Sequence, residues 1–170
     1  MLRLAKGLNT DKGTEHSYLC GYEILFNRLR LAENVLEVGI KDGGSLLLWS
    51  AFFPCATIHG IDIYPSPVKG DRILTYQTDA YRNPPILPKC EVILDDGSHK
   101  KEDMLLFLYH YLPLLTDDGI LVIEDIPDPM WLWDLGNAVP SDYEVEVYDW
   151  RLNKGRFDDI LFVVRKKKLT

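Results

Sequence analysis

The sequence has few cysteines and no long apolar run. Its three cysteines are odd in number, widely spaced and flanked by apolar residues, which argues against a disulfide framework or a metal–thiolate site. No apolar stretch approaches the roughly 20 residues that span a membrane, and the N-terminus lacks the apolar core of a signal peptide. We therefore expect a soluble, cytoplasmic protein without a membrane partner.

Positive charge is also scarce. The 19 Lys and Arg residues are outnumbered by 26 Asp and Glu residues, and the formal net charge is −7 at pH 7. Phosphate binding needs a basic surface, so this balance argues against a nucleic-acid partner. The basic run from Arg165 to Lys168 is interpreted as a solvated end of the chain.

The chain has the size and composition of one globular domain. With 170 residues, of which 46% are hydrophobic and 26% charged, two half-length domains would each be short of core. We therefore predict a single domain over residues 1–170, without internal repeats. The sequence is compatible with a monomer or a homo-oligomer.

Strand-like and helix-like segments alternate along the chain. Helical spacing of apolar residues starts at Ser17 and recurs over residues 46–53 and 101–115, and a short helix is expected around "WLWDLG". The strand-like segments are, in order, NVLEVGI, TIHGIDIYP, RILTYQTD, CEVILDD, ILVIED, YEVEVYDW and FDDILFVVR. This order predicts an α/β, Rossmann-like sandwich whose mostly parallel seven-stranded sheet ends in an antiparallel C-terminal hairpin.

Glycines and a carboxylate surround the end of the first strand. In open α/β sheets the ligand lies beyond the carboxyl ends of the strands, where the strand order reverses. "EVGIKDGGS" places Glu37 before Gly39, Gly43 and Gly44, which differs from the G-x-G-x-x-G of dinucleotide enzymes. Glycines let a ligand approach the backbone closely, and a carboxylate can hold a cationic ammonium or sulfonium group. This combination favours S-adenosylmethionine over NAD.

The next two strands also end in acidic residues. Asp62, after the second strand, could accept hydrogen bonds from ribose hydroxyls, and Asp79, after the third, from an adenine amino group. The alternative is that both are plain turn residues, since Asp and Gly are common in such loops. An acidic residue after each of three successive strands favours a nucleoside site.

Strands four and five both end in paired carboxylates, Asp95–Asp96 and Glu124–Asp125. Adjacent strands lie about 5 Å apart, and side chains alternate between the faces of a strand, so we expect one carboxylate of each pair in the crevice. We select the outermost, Asp96 and Asp125, and expect Asp95 to hold the turn. Two crowded carboxylates require a cation, and oxygen ligands suit Mg²⁺.

His99 follows Asp96 by three residues and Gly97 by two. A neutral imidazole there could take a proton from a hydroxyl whose acidity a metal has raised. The alternative is that Ser98 caps a helix and His99 is a surface histidine in its first turn.

Five segments carry a resemblance to a known family, and in order they are "LNTDKGTEHSY", "LEVGIKDGGSLLLW", "IHGIDIY", "VILDDGSH" and "GILVIED". They resemble the metal-dependent S-adenosylmethionine O-methyltransferases that act on sugar hydroxyls, such as the macrolide deoxysugar methyltransferases. The resemblance covers most of residues 8–125. It implies the class I methyltransferase fold, Mg²⁺ on Asp96 and Asp125, and His99 as the general base.

The resemblance also implies that the segment before the first long helix folds over the methionine end of the cofactor. The cofactor-binding set that we predict is Thr10, Asp11, Gly13, Glu37, Gly39, Gly43, Ser45, Asp62, Ile63, Asp79 and Asp95. A third metal carboxylate would come from this N-terminal region, with Glu23 or Glu15 as candidates, and Glu23 is retained in the predicted metal set. His16, His59 and His110 are expected to be structural.

The expected activity is Mg²⁺-dependent methyl transfer from S-adenosylmethionine to a hydroxyl of a sugar or glycan, with S-adenosylhomocysteine as product. The alternatives are a catechol-like phenol as acceptor, a non-catalytic nucleoside-binding protein, or an NAD-type oxidoreductase domain. We expect the chain to lack the N-terminal auxiliary domain of the larger macrolide enzymes, which leaves acceptor recognition open. Trp131 and Trp133 could stack on a sugar ring, cover the site, or form an oligomer contact.

Overall fold

A single mixed sheet organises the computed structural model, which describes residues 1–168. The strands are β1 (Asn34–Val38), β2 (Thr57–Asp62), β3 (Ile73–Gln77), β4 (Cys90–Asp95), β5 (Leu115–Ile123), β6 (Tyr143–Asp149) and β7 (Ile160–Lys166). Within the described residues these seven strands pair in the order β3-β2-β1-β4-β5-β7-β6. Strands β1 to β5 are parallel, and β7 is antiparallel to both of its neighbours. The predicted α/β fold is confirmed, although residues 169–170 of the predicted domain lie outside the described residues.

Helices cover both faces of the sheet. They are α1 (Leu2–Ala5), α2 (Tyr18–Phe26), α3 (Gly44–Phe52), α4 (Lys101–Tyr111), α5 (Trp131–Ala138) and α6 (Arg151–Lys154). Alternate residues of β5 enter two separate cores: Ile120 and Val122 pack with α2 and α3, whereas Leu121 and Ile123 pack with α4 and α5. Among the residues described, no helix is both long enough and apolar enough to cross a membrane.

The boundaries differ from the predicted ones near Pro113. Helix α4 ends at Tyr111 and is followed by a 3-10 turn over Leu112–Leu114, because proline lacks the N–H that would continue the helix. Strand β5 then starts at Leu115, ahead of the predicted Ile120, and its pairing with β4 shifts register near Cys90. The β6–β7 connection contains the short helix α6 instead of a plain loop.

The strand order reverses between β1 and β4. Strand β1 pairs with β2 on one side and with β4 on the other, and β4 pairs in turn with β5. The loops that leave β1 and β4 therefore diverge to opposite faces of the sheet and open a crevice between them. The predicted adjacency of the fourth and fifth strands is confirmed.

The three thiols differ in accessibility. Cys20 and Cys55 are exposed, whereas Cys90 is buried on β4, and burial together with the charge of Glu91 raises the pKa of its thiol to about 12. We expect Ellman's reagent at pH 8 to label Cys20 and Cys55 in the native protein and Cys90 only after denaturation, because the reagent requires an accessible thiolate. Rapid native labelling of Cys90, located by peptide mapping, would contradict the placement of this strand.

Candidate active site

A cavity of about 680 Å³ opens at the carboxyl ends of the parallel strands. Its wall is formed by the loops that follow β1, β2, β3 and β4 and by the segment that precedes α2. The predicted site residues that line it are Thr10, Asp11, Gly39, Ser45, Asp62, Ile63, Asp79, Asp96, His99 and Asp125. The fold thus brings together side chains that are more than 100 residues apart in sequence.

Gly39 allows the loops after β1 and β4 to touch. Its φ is +81°, and a Cβ at this position would lie 2.0 Å from the backbone oxygen of Asp96. A side chain is therefore excluded both by the left-handed backbone and by the neighbouring loop. Gly39 thus lets the loop after β1 pack against the backbone of Asp96, and both residues line the cavity.

Asp62 shapes the loop after β1. Its Oδ2 accepts hydrogen bonds from the backbone N–H groups of Ile40 at 3.0 Å and Lys41 at 2.9 Å, while its Oδ1 accepts one from Tyr64 at 2.9 Å. Asp79 accepts two backbone N–H groups in its own loop in the same way. Both carboxylates are half-buried at the cavity wall. They therefore act as turn residues and also face the space where a ligand would lie.

Glu37 lies behind the cavity wall. It is fully buried, its Oε2 accepts the hydroxyl of Ser45 at 2.5 Å, and its Oε1 lies 3.3 Å from the Nζ of Lys12. Burial raises the pKa of Glu37 despite the nearby lysine. Ser45 lines the cavity and Glu37 does not, so contact between Glu37 and a cofactor stays a prediction.

Lys12 was missed by sequence reasoning. Its ammonium lies 2.7 Å from Asp96 Oδ2 and 2.8 and 2.9 Å from the two oxygens of Glu124, and its residue is 1% exposed. Burial alone would lower the pKa of Lys12, but the carboxylates of Asp96, Glu124 and Glu37 raise it well above its ordinary value. The signal that could have found it is charge balance, since carboxylates buried at neighbouring strand ends require an internal cation.

Asp96, His99 and Asp125 converge at the open side of this network. The Nε2 of His99 is 3.9 Å from Asp96 Oδ1 and 3.9 Å from Asp125 Oδ2. One ligand atom from each of the three residues lies within 4.8 Å of the others, close enough for a shared metal ion. His99 and Asp125 both have positive φ, +52° and +53°, a conformation that is costly for residues other than glycine and is concentrated at functional sites.

Residues outside the predicted site hold the second oxygen of Asp125. Its Oδ1 accepts a short hydrogen bond from the hydroxyl of Tyr18 and lies 3.1 Å from the Nδ1 of His16. His16 Nδ1 is also 2.8 Å from Asp159 Oδ1. Burial, followed by the charge of Asp96, raises the pKa of Asp125 to about 6. His16, which is expected to be structural, and Tyr18, which the predicted site does not include, thus both orient Asp125.

In each of the two candidate metal carboxylates, one oxygen is hydrogen-bonded to a buried side chain and the other faces His99. Asp96 Oδ2 accepts a hydrogen bond from Lys12, and its Oδ1 faces His99. Asp125 Oδ1 accepts a hydrogen bond from Tyr18, and its Oδ2 faces His99. Two anionic oxygens beside an imidazole form a donor set that suits Mg²⁺, which prefers one or two carboxylates and water. The residues present thus fit the predicted metal.

Glu23 is not brought to this cluster. It lies on the exposed side of α2, and its carboxylate pairs with the N-terminal ammonium at 2.9 Å. The prediction of Glu23 as a third metal ligand is therefore wrong, because helical spacing turns it away from the Tyr18 face. Glu15 does reach the cavity wall, where it pairs with Arg156 at 3.1 Å.

Three further predicted cofactor residues do not line the cavity, and their contact with a cofactor stays a prediction. Asp95 is 3% exposed and accepts the hydroxyl of Tyr81 at 2.7 Å, which agrees with its expected role in the turn. A Cβ on Gly13 would lie 2.2 Å from a methyl carbon of Leu19, so a larger residue here would require the leucine side chain to move. Gly43, with φ of +76°, is the N-cap of α3.

The remaining histidines and the tryptophans lie outside the cluster. His59 contacts Tyr76 at 3.1 Å, and His110 contacts the backbone oxygen of Tyr81 at 3.0 Å, as expected for structural residues. Trp131 packs against the core beneath α5, and Trp133 on the same helix is 75% exposed. Among the residues described, neither tryptophan lines the cavity, so stacking on an acceptor bound there has no support.

The sequence is similar to those of curated sugar O-methyltransferases. The chain is 33% identical over 144 residues to the 8-demethyl-8-(2-methoxy-alpha-L-rhamnosyl)-tetracenomycin-C 3'-O-methyltransferase of Streptomyces olivaceus, covering 73% of this chain and 36% of that protein. It is 28% identical over 144 residues to the demethylmacrocin O-methyltransferase of Streptomyces fradiae, covering 76% and 36%. The chain thus spans little more than a third of these relatives' length. No family model matches it.

Solved structures share the fold. MycE methyltransferase from the mycinamycin biosynthetic pathway, in complex with Mg, SAH and mycinamycin VI, superposes with a TM-score of 0.77 at 24% identity over 96% of this chain and 52% of that chain. The SAH-bound Podospora anserina methyltransferase PaMTH1 gives a TM-score of 0.63 at 18% identity over 98% and 86%. These matches confirm the predicted class I methyltransferase fold, and the curated relatives confirm the resemblance to sugar O-methyltransferases.

The contact at Gly39 can be tested by stability. We expect Gly39→Ala to lower the free energy of unfolding by at least about 1 kcal/mol, because the left-handed backbone is costly for alanine and its Cβ meets the Asp96 loop. Urea unfolding followed by fluorescence measures the change. Gly136→Ala is the control: it lies within α5 with open space around its Cβ among the described residues, and alanine there should stabilise the protein by up to about 1 kcal/mol. A Gly39→Ala protein as stable as wild type would contradict the close approach of the two loops.

Proposed function

We propose that this chain, which resembles sugar O-methyltransferases over about three quarters of its length, transfers a methyl group from S-adenosylmethionine to a hydroxyl of a sugar or glycan. The observation that carries the proposal is the convergence of Asp96 Oδ1, Asp125 Oδ2 and His99 Nε2 at the edge of the cavity. This arrangement combines two anionic ligands with a proton acceptor, which is the minimum that metal-assisted deprotonation of a hydroxyl requires.

Two bound groups complete the proposed site. When bound, S-adenosylmethionine supplies the methyl group, and Mg²⁺ supplies a Lewis acid that makes an acceptor hydroxyl more acidic. Asp96 and Asp125 would hold the metal. Asp62 and Asp79 are proposed to accept hydrogen bonds from the nucleoside, and a cavity of about 680 Å³ is within the range of cofactor sites.

His99 is the proposed general base. Its Nε2 would accept the hydroxyl proton, and the acceptor oxygen would bond to the methyl carbon as the bond between that carbon and the sulfonium sulfur breaks. The sulfur keeps the electron pair, and the product is S-adenosylhomocysteine. The ring is 35% exposed and its Nε2 is 3.9 Å from both carboxylates, which leaves this atom available to an acceptor approaching from the open side.

The N-terminal segment is proposed to cover the methionine end of the cofactor. Thr10 and Asp11 line the cavity beside Ser45, and the backbone oxygen of Asn9 lies so close to Gly44 that a Cβ there would be 1.8 Å away. This close packing supports a fixed wall that aligns the methyl carbon and excludes water from it.

A cytoplasmic location and assembly into a homo-oligomer both stay predictions.

The activity is tested with labelled S-adenosylmethionine and a panel of rhamnosides and other deoxysugars. We expect Mg²⁺-dependent transfer that falls about 10²–10⁴-fold in His99→Ala, because the general base is lost. Asp96→Asn and Asp125→Asn should also lose activity and require more Mg²⁺. Glu23→Gln, on the far side of α2, is the control and should retain wild-type activity. Transfer that survives chelation and both asparagine variants would refute the metal-assisted mechanism.

The cofactor and acceptor classes are separable by two further measurements. Calorimetry should give binding of S-adenosylhomocysteine and none of NAD, because the loop after β1 lacks the dinucleotide glycine pattern. Binding of NAD alone would overturn the cofactor assignment, and binding of S-adenosylhomocysteine without transfer to any acceptor would favour a non-catalytic protein. Transfer to catechols but to no sugar would reassign the acceptor.

A further inference from the structure

The ammonium of Lys12 occupies the centre of a buried acidic cluster. It contacts Asp96 at 2.7 Å, Glu124 at 2.8 and 2.9 Å, and Glu37 at 3.3 Å, and it lies 6.0 Å from the ring centre of Trp49. Lys12 and both glutamates are 0–1% exposed. The lysine and both glutamates are therefore screened from solvent, whereas Asp96 also faces the cavity, so the buried charges must be balanced by the protein itself.

The same three carboxylates form a set that could hold a metal ion. Ligand atoms of Glu37, Asp96 and Glu124 lie within 4.8 Å of one another. One oxygen of Glu37, Oε1, has no hydrogen-bond partner among residues 1–168, and it is the oxygen nearest to the lysine. The ammonium of Lys12 thus lies where three carboxylates require a cation. Its backbone belongs to the N-terminal segment that forms part of the cavity wall.

Asp96 links this cluster to the candidate metal site. Its Oδ2 forms an ion pair with the ammonium of Lys12, whereas its Oδ1 faces His99 and Asp125. The direction of Oδ1 is set by the contact that Oδ2 makes, because the two oxygens share one rigid carboxylate plane. Without the lysine, Asp96 would be free to rotate, and three uncompensated carboxylates would repel one another.

We propose that Lys12 is a positioning residue, an internal counter-ion that holds Asp96 and Glu124 in place before a divalent ion binds. The inference rests on the proposed function in taking the Asp96–His99–Asp125 cluster as the divalent-ion site. The assembled cluster then does not depend on the metal for its folding, and a divalent ion can partly replace the ammonium when the lysine is removed.

Thermal unfolding of Lys12→Met with and without Mn²⁺ tests the proposal. Methionine keeps most of the side-chain volume but not the charge, so the variant should lose about 10 °C in Tm in the absence of metal. Saturating Mn²⁺ should raise the Tm of the variant at least twice as much as that of the wild type, because the ion binds a more negative cluster. An equal or smaller Mn²⁺ shift in the variant would overturn the proposal.

Lys154→Met is the matched control. This exposed lysine donates to the backbone oxygens of Gly13 at 2.7 Å, Thr14 at 3.1 Å and His16 at 2.7 Å, so it anchors the same N-terminal segment without contacting the acidic cluster. Its loss should lower Tm while leaving the Mn²⁺ shift at the wild-type value. A shift as large as that of Lys12→Met would mean that loosening the segment alone produces the effect, which would count against a counter-ion role.

The double variant Lys12→Met/Glu124→Gln removes the cation together with one carboxylate. It should recover part of the lost Tm and give a smaller Mn²⁺ shift than Lys12→Met. If Lys12→Met is unfolded without metal, refolding in Mn²⁺ should yield folded protein, and failure to fold in either condition would refute replacement by an ion. Methyl transfer by the wild type is measured separately, so its absence would reject the proposed function without deciding this inference.

Discussion

The ion cluster around Lys12 is the constraint on which the rest of the site depends. A parallel sheet directs the ends of β1, β4 and β5 to one edge, and each of these strands brings a carboxylate there. Buried carboxylates at this spacing repel one another and lose their hydration, so the fold tolerates them only with an internal cation. Lys12 supplies it from the N-terminal segment, which ties that segment to the sheet.

Buried contacts also set the orientation of the two candidate metal carboxylates. Asp96 and Asp125 leave different strands, yet each has one oxygen fixed by a buried partner and the other turned to His99. A contact that fixes one oxygen of a carboxylate also orients the other. These side chains therefore do not have to become ordered when a ligand binds. Such preorganisation lowers the entropic cost of binding and places the reactive groups before the reaction begins.

The residues that could be predicted are those governed by local rules. Strand alternation placed Asp96 in the cavity and Asp95 at the turn, where it is buried against Tyr81, although the predicted cofactor set also included Asp95. The order of strands and helices predicted the fold and the adjacency of β4 and β5. The strand boundaries near Pro113 were less accurate, because the start of β5 depends on irregular pairing with β4 and not on its own apolar pattern.

The residues that could not be predicted depend on contacts between distant parts of the chain. Lys12 meets Glu124 across 112 positions, and His16 meets Asp159 across 143, so no local spacing relates them. Glu23 was chosen for its charge and chain position, but its place on α2 turns it to solvent. Charge balance would have been the better guide: a carboxylate buried at a strand end needs a specific cation, and the nearest unassigned lysine of the motif was Lys12. Long-range pairing of buried charges is therefore the information that a pattern-based interpretation of this site lacked.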